Sequence, residues 1–497
     1  MNRLTITDLK EIINGNRSYS YSEQDIGNAL KSFNFLESFS KNNLVYGVNT
    51  GFGPMANFKV NKKDQIQLQY NLIRSHSSGM GAVFPAKVVK IIMIIRLHAF
   101  LQGKSGVSQS LINTLSNYID NGIYPDIYEH GGVGASGDLV QLSHLALGII
   151  GEGKGVNNKG EKDHILKLIK ESNLHPHKLE LRDGLAMING TACMTALSTI
   201  NIINSRILIK WSVKISAMML EIFGSYDDYI SKELNQVKLH KGQNEIALRI
   251  RKILETSNLI TNRYSSEDKK FQEFYSIRCT PQVLGPILDT INFSELVVEN
   301  EINSVDDNPI VDVDNQKIVH GGNFHGDYIS LEMDKLKIAI TKLTMLTERQ
   351  LNLLLNSKTN KILPPFLNIG KLGVNYGMQG VQFTATSTTA ESQMLSNPMS
   401  VHSITCNNDN QDIVSMGTNS ALITRKVIDN AFQVMSIQLI ACVKALEILK
   451  VENQVCNETK NILNTVIDLI GSNGVDDDVF YNKLKKIEKN LRDDEDK

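Results

Sequence analysis

The sequence predicts a mostly α-helical protein, with a long central helical bundle and a smaller mixed N-terminal part. Proline is scarce: 10 in 497 residues, about 2% against a usual ~5%. No proline falls between Pro176 and Pro281, and none follows Pro398. Residues 191–223, 327–363 and 418–470 contain neither proline nor glycine. Proline breaks helix interiors and glycine weakens them, so these stretches read as long helices. A strand-rich chain would need turn residues roughly every 8–12 positions, which excludes an all-β fold and argues against repeating βαβ units.

In chain order, residues 1–60 are mixed. Leu44 to Val48 form a short apolar segment that ends in the turn-rich Asn49-Thr50-Gly51-Phe52-Gly53-Pro54. Residues 62–78 and 86–101 carry helical spacing. The densest glycine cluster, EHGGVGASGD, ends at Asp138. The apolar LVQLSHLALGII then reads as a helix, with Asp138 suited to its start. Residues 191–223 read as one helix. Ile329, Met333, Leu336, Ile340, Leu343, Leu351 and Leu354 trace one face of another over 326–356. Residues 418–450 are apolar on most sides, so that helix should be buried. The terminal DDEDK reads as a frayed tail. The implied division is 1–190 for the N-terminal part and 191–497 for the long-helix bundle and C-terminal helices.

Composition narrows the function. The 52 Lys and Arg against 53 Asp and Glu give a net charge of −1, which suits neither a nucleic-acid coat nor an anionic membrane. The five cysteines are scattered and show no CxxC spacing, as expected of a reducing compartment. The start, MNRLTITDLKEII, carries charges where a signal peptide needs an apolar core. The apolar run Val88 to Leu101 is too short for a bilayer. The expectation is a soluble cytoplasmic protein without nucleic-acid or membrane partners.

Gly132 to Gly137 formally matches GxGxxG. A dinucleotide fingerprint needs a strand before it and an acidic residue about 20 positions later. Here Asp126 to His130 make a poor buried strand, and positions 157–158 are Asn-Asn. A GxSxG nucleophile elbow around Ser136 fails because Asp138 stands where glycine is needed. A glycine-rich loop capping a helix is the plain alternative. A third reading is chemically specific. Small residues around Ser136 permit a bend in which the Gly137 nitrogen attacks the Ala135 carbonyl. Loss of water from the ring and from Ser136 gives a methylidene-imidazolone, a strong electrophile; glycine leaves ring closure unobstructed.

GGVGASGDLVQLSHLALGIIGEG resembles the signature of the aromatic amino acid ammonia-lyase family. That family comprises histidine, phenylalanine and tyrosine ammonia-lyases and related aminomutases. The resemblance covers nearly the whole chain: YGVNTGFG (46–53), RSHSSG (74–79), GLAMINGT (184–191), YSIRCTPQ (275–282), NSVDDNP (303–309), HGGNFHG (320–326), LPPFL (363–367) and NQDIVSMG (410–417). One departure is Val140-Gln141, where many members carry Ala-Pro; it lies outside the ring-forming residues. The resemblance implies the ammonia-lyase/fumarase-like superfamily fold. It also implies a homotetramer with shared active sites, and the prosthetic group 4-methylidene-imidazole-5-one (MIO) from Ala135, Ser136 and Gly137, with no metal.

By the same resemblance, Tyr46 removes the substrate's β-proton. A free phenol is a weak base at neutral pH, so the fold must stabilise its anion by hydrogen bonds or positive charge. Read alone, Tyr46 is a core aromatic in a strand-like segment. Gly47, Gly51 and Gly53 suggest a mobile lid. Arg278 matches the arginine that grips the substrate carboxylate, a task suited to its planar fork. Tyr275 would share a helical face with it, and Gln272 joins them in lining the site. Asn189 would hydrogen-bond the prosthetic group or the carboxylate. Phe324 would pack beside the ring. His320 and His325 lack the partner spacing of a metal site and read as structural. Asp138 is a candidate to assist ring formation as well as to start the helix. The long helices would carry Arg278 and Gln411 toward the glycine-rich loop.

Two positions bear on the substrate. Histidine lyases typically have glutamate where Gln411 stands; a neutral amide is the pattern of phenylalanine and tyrosine enzymes and tyrosine aminomutases. The Ser75-His76 pair is found in histidine lyases and bacterial tyrosine aminomutases. His76 can hydrogen-bond a phenol hydroxyl, and an unpaired polar group disfavours phenylalanine. YNLIRSHSSG and GMQGVQFTATSTTAESQMLSNP resemble tyrosine ammonia-lyases of flavobacterial type. The resulting expectation is deamination of L-tyrosine to trans-4-coumarate and ammonia. Histidine ammonia-lyase (L-histidine to urocanate) and tyrosine 2,3-aminomutase are the alternatives.

Overall fold

The computed structural model describes residues 1–264, 272–472 and 474–493. Nine helices carry the argument: α1 (Gln65–His76), α2 (Ala86–Leu101), α3 (Leu139–Ile149), α4 (Asp183–Ile188), α5 (Ala192–Ile222), α6 (Tyr275–Arg278), α7 (Thr280–Ile302), α8 (Asp327–Leu355) and α9 (Gly417–Leu449). The long helices α5, α8 and α9 run within two residues of the proline- and glycine-free stretches at their starts. The stripe on α8 is buried at every one of its seven positions. Helices α5 and α9 are long and apolar enough to cross a membrane by composition, but their most apolar windows are 83% and 72% buried, as in core helices. A helix spans Phe480–Asp493; the rest of the expected frayed tail lies outside the described residues.

The chain forms two compact units, interleaved in sequence. The first comprises Met1–Asn201, Ser294–Asp334 and Pro398–Leu422; the second comprises Ile202–Phe293, Lys335–Asn397 and Ile423–Lys497. Helices α5, α7, α8 and α9 each pass from one unit to the other partway along their length. The expected cut at 190/191 falls inside the first unit. A boundary in mid-helix leaves no proline, glycine or polar linker to mark it.

In the first unit, α1, α3 and α4 pack pairwise. The same unit holds short antiparallel ribbons: β1 (Met80–Val83), β2 (Tyr124–Pro125), β3 (Tyr128–His130), β4 (Lys154–Val156), β5 (Lys162–His164), β6 (Ile310–Asp312) and β7 (Lys317–Val319) pair as β1–β3, β2–β4–β5 and β6–β7. Two fully buried arginines tie the centre. Arg96 pairs with Asp306 at 2.6 Å and donates to the Ala186 carbonyl; Arg182 pairs with Asp307 at 2.9 Å and donates to the Asn308 carbonyl. Such charges are tolerable in a core only when paired. The apolar segment at 44–48 is a turn, closed by the Val48 and Asn49 N–H groups donating to the Val45 carbonyl. Val45 and Val48 are buried, so the segment's apolar character anchors a loop and not a strand.

In the second unit, helix Lys241–Leu254 crosses the start of α7 at Gly242 and Gly285. A Cβ on Gly242 would lie 2.2 Å from the Gly285 carbonyl oxygen, so this approach requires glycine. Pro281 stands in the first turn of α7, and Pro286 lies inside the helix. Gln350 donates from Nε2 to the Ser276 carbonyl at 2.8 Å and accepts from Gln438 at 2.7 Å. That pair fixes α6.

Candidate active site

The glycine-rich loop is held on three sides within the first unit. Gly134 accepts at its carbonyl from the Ser415 hydroxyl and the Gly326 N–H, each at 3.0 Å. Val133 accepts from the Met416 N–H at 2.9 Å, and the Asp138 N–H donates to the Gly190 carbonyl at 2.8 Å. Gly137 has φ +68°, and a Cβ there would meet the Gly190 oxygen at 1.9 Å. Only glycine fits that position. Gln411 donates from Nε2 to Ser136 Oγ at 3.0 Å. Asn189 donates from Nδ2 to the Ser136 carbonyl at 3.4 Å, while its buried Oδ1 has no partner. A buried acceptor without a donor is costly. It marks a place for a substrate N–H group, while the Nδ2 bond to the Ser136 carbonyl, an oxygen that ring closure leaves in place, fits a prosthetic group made from Ala135, Ser136 and Gly137.

A cavity of about 340 Å³ opens over Ser136. Tyr46, Ser75, His76, Asn189, Phe324 and Gln411 all line it. Leu68, Leu72, Leu139, Leu185 and Ile188 supply apolar wall, the usual lining of a small-molecule site. Asn71, Asn308, Asn407 and Asn410 also line it; Asn308 and Asn410 fall in the NSVDDNP and NQDIVSMG motifs, whereas nothing in the sequence pattern separates Asn71 and Asn407 from surface asparagines.

Tyr46 reaches the cavity from the 46–49 turn. Its hydroxyl oxygen accepts from the Gly53 N–H at 3.0 Å, and its ring meets Phe52 edge-on. Its own backbone N–H donates to His320 Nε2 at 3.4 Å. Burial and the Arg182 charge hold the His320 imidazole below its ordinary pKa, which keeps that nitrogen free to accept. His325 Nε2 lies 3.2 Å from the Ile413 carbonyl, and its Nδ1 3.5 Å from Asp327.

Ser75 and His76 end α1. His76 Nδ1 lies 3.0 Å from the Leu72 carbonyl. The Ser75 hydroxyl lies 3.0 Å from the same nitrogen; a carbonyl can only accept, so in the neutral imidazole the proton sits on Nδ1 and Nε2 is the acceptor.

Asp138 precedes α3 but does not cap it with its side chain. Its carboxylate accepts instead from the Cys193 and Met194 N–H groups, each at 2.9 Å, and from the Thr418 hydroxyl. The two N–H groups are orphan donors in the first turn of α5. Asp138 therefore pins the glycine loop to a different helix from the one its sequence position suggests. Burial pushes its carboxyl up to about 7 against those hydrogen bonds.

Gln272, Tyr275 and Arg278 lie in the second unit and line a different cavity, of about 630 Å³. The Arg278 guanidinium carbon stands 4.5 Å from the Tyr275 ring centroid. Arg278 Nε is buried without a partner, and Tyr275 is 71% exposed. Neither Arg278 nor Gln411 rides on a long helix. Arg278 closes the short α6, just ahead of α7, and Gln411 lies in the loop ahead of α9. Within one chain, the expected site residues therefore form two groups.

A sequence model of aromatic amino acid lyases matches residues 4–468. The chain belongs to the aromatic amino acid lyase family. Among similar proteins, a tyrosine 2,3-aminomutase of Chondromyces crocatus is 37% identical over 421 residues, covering 82% of this chain and 79% of that one. A histidine ammonia-lyase of Caldanaerobacter subterraneus subsp. tengcongensis is 36% identical over 450 residues, covering 90% and 87%. A crystal structure of tyrosine aminomutase from Streptomyces globisporus matches with a TM-score of 0.93 at 30% identity, over 99% of this chain and 96% of that one. The lyase-family fold is thus the mostly helical one expected from the sequence. The family comprises lyases and aminomutases of aromatic amino acids, and membership implies the methylidene-imidazolone group in general.

Proposed function

We propose that this aromatic amino acid lyase deaminates L-tyrosine to trans-4-coumarate and ammonia. The observation that carries this reading is the pairing of a neutral Gln411 with a His76 whose Nε2 is left to accept. A phenol hydroxyl donates to such a nitrogen, and Gln411 offers no carboxylate to an imidazole. The prosthetic group from Ala135, Ser136 and Gly137 supplies the electrophile that activates the substrate amine. The chain's own side chains do the rest. Tyr46 takes the β-proton, its oxygen held in place by the Gly53 N–H. The unpaired Asn189 Oδ1 suits an N–H of the substrate amine. Its Nδ2, engaged with the Ser136 carbonyl, supports the first of the two roles expected of it, a bond to the prosthetic group, over one to the carboxylate. Phe324 and the apolar wall hold the ring and exclude water.

Arg278, with Tyr275 and Gln272, would clamp the carboxylate. Its unsatisfied Nε supports a missing anionic partner. In a homotetramer with shared sites, Arg278 of one copy would serve Ser136 of another. The five free cysteines support a cytoplasmic enzyme.

A second reading, tyrosine 2,3-aminomutase, is favoured by the name of the relative at 37% identity; the histidine lyase at 36% favours urocanate formation. The test is product analysis after incubation with L-tyrosine. Equal amounts of 4-coumarate and ammonia support the lyase. β-Tyrosine as the main product replaces it with the mutase, and turnover of L-histidine alone removes the tyrosine reading.

A further inference from the structure

Gln69 has no place in the chemistry described so far, yet its side chain joins two parts of the site. It lies in the middle of α1 and is fully buried. Its Nε2 donates to the Gly47 carbonyl at 2.9 Å, and its Oε1 accepts from the Leu185 N–H at 2.8 Å. A carbonyl can only accept and an N–H can only donate, so the amide has one possible orientation. Gly47 is the residue after Tyr46. Leu185 stands in the first turn of α4, where N–H groups lack helical partners, and α4 leads directly to Asn189.

The junction has no slack. A Cβ on Gly47 would lie 2.2 Å from Leu185 Cδ2, and one on Gly184 would lie 2.9 Å from Gln69 Oε1. Gly47 also has φ +71°, which disfavours any side chain. Two glycines thus let the turn bearing Tyr46 and the start of α4 close onto one glutamine.

We propose that Gln69 is a positioning residue for proton removal: its amide fixes the Tyr46 turn against α4, and so sets the phenol oxygen relative to the substrate held by Asn189. This rests on the reading of Tyr46 as the base. Gln69 touches neither substrate nor prosthetic group, so losing it should slow the step that Tyr46 performs and leave prosthetic-group formation and substrate affinity in place.

The test uses the full-length enzyme with L-tyrosine and β-dideuterated L-tyrosine. Gln69→Met keeps the length and loses both hydrogen bonds. It should retain the near-ultraviolet band of the prosthetic group and a KM within about twofold of wild type, lower kcat at least tenfold, and raise the deuterium isotope effect. Gln69→Glu adds a signature that a filler role would not give. Protonated, its carboxyl can donate to Gly47 and accept from Leu185; ionised, it cannot donate. Its kcat relative to wild type should therefore climb as pH falls. If Gln69→Met folds and shows wild-type kcat and isotope effect, the inference is overturned. If Gln69→Met does not fold, a Gln69→Glu whose relative kcat is flat with pH overturns it. Tyr46→Phe, assayed alongside, separates the two failures. Near-normal turnover there removes the base and this inference with it, whereas an inactive Tyr46→Phe beside a normal Gln69→Met removes Gln69 alone.

Discussion

Gln411 donates a hydrogen bond from Nε2 to Ser136 Oγ at 3.0 Å, and its Oε1 lies 3.4 Å from the Cys406 thiol. Its neutral amide therefore faces the residue that yields the electrophile. Replacing it with glutamate puts a charge there that favours imidazole over phenol. Gln411→Glu should shift the ratio of kcat/KM for tyrosine over histidine toward histidine by about tenfold or more, which is ~1.4 kcal/mol. An unchanged ratio would undercut the substrate argument.

Tyr46 holds its oxygen on the Gly53 N–H. Tyr46→Phe removes the proton acceptor and keeps the ring against Phe52. The variant should retain its fold and near-ultraviolet band while kcat drops by roughly 10²–10⁴-fold, the usual worth of a positioned base. Single-turnover kinetics with tyrosine check this, and a near-normal rate would remove Tyr46 from that role.

Arg278 leaves Nε buried and unpaired, as a clamp without its anion would. Arg278→Lys keeps the charge and loses the fork. KM for tyrosine should rise roughly 10- to 100-fold, about 1.4–2.8 kcal/mol, with a smaller change in kcat. Steady-state kinetics with unchanged kcat/KM would show that Arg278 does not grip the carboxylate.

Asp138 gives a pH prediction. Its carboxyl is pushed up to about 7 by burial, against about 3.9 in an unfolded chain. Between those values the folded state holds more protons than the unfolded one, so ionising Asp138 erodes stability as pH rises. Asp138→Asn keeps an oxygen for the Cys193 and Met194 N–H groups and cannot ionise. Melting temperatures measured from pH 4 to 8 should show the variant gaining on wild type as pH rises through that window. A difference that stays flat would mean Asp138 carries no such penalty.

The sequence made the long helices legible, because missing proline and glycine is a direct statement about backbone freedom. It also made the cavity over Ser136 legible, because Tyr46, His76, Asn189, Phe324 and Gln411 sit in contiguous motifs. Three things were hidden. Asp138 has the sequence position of a helix cap, but its partners are 55 or more residues away, and no local pattern encodes such a pairing. The unit boundaries run through α5, α7, α8 and α9, where the chain has no punctuation. Gln69 is a polar residue at an ordinary helical position, and its importance comes only from where Gly47 and Leu185 fold back onto it.

The central claim is the substrate, and the most direct measurement is kcat/KM for L-tyrosine, L-histidine and L-phenylalanine on one preparation, with products separated. Tyrosine should lead the other two by at least about tenfold, giving 4-coumarate and ammonia in equal amounts. Histidine turned over to urocanate faster than tyrosine is consumed would contradict it.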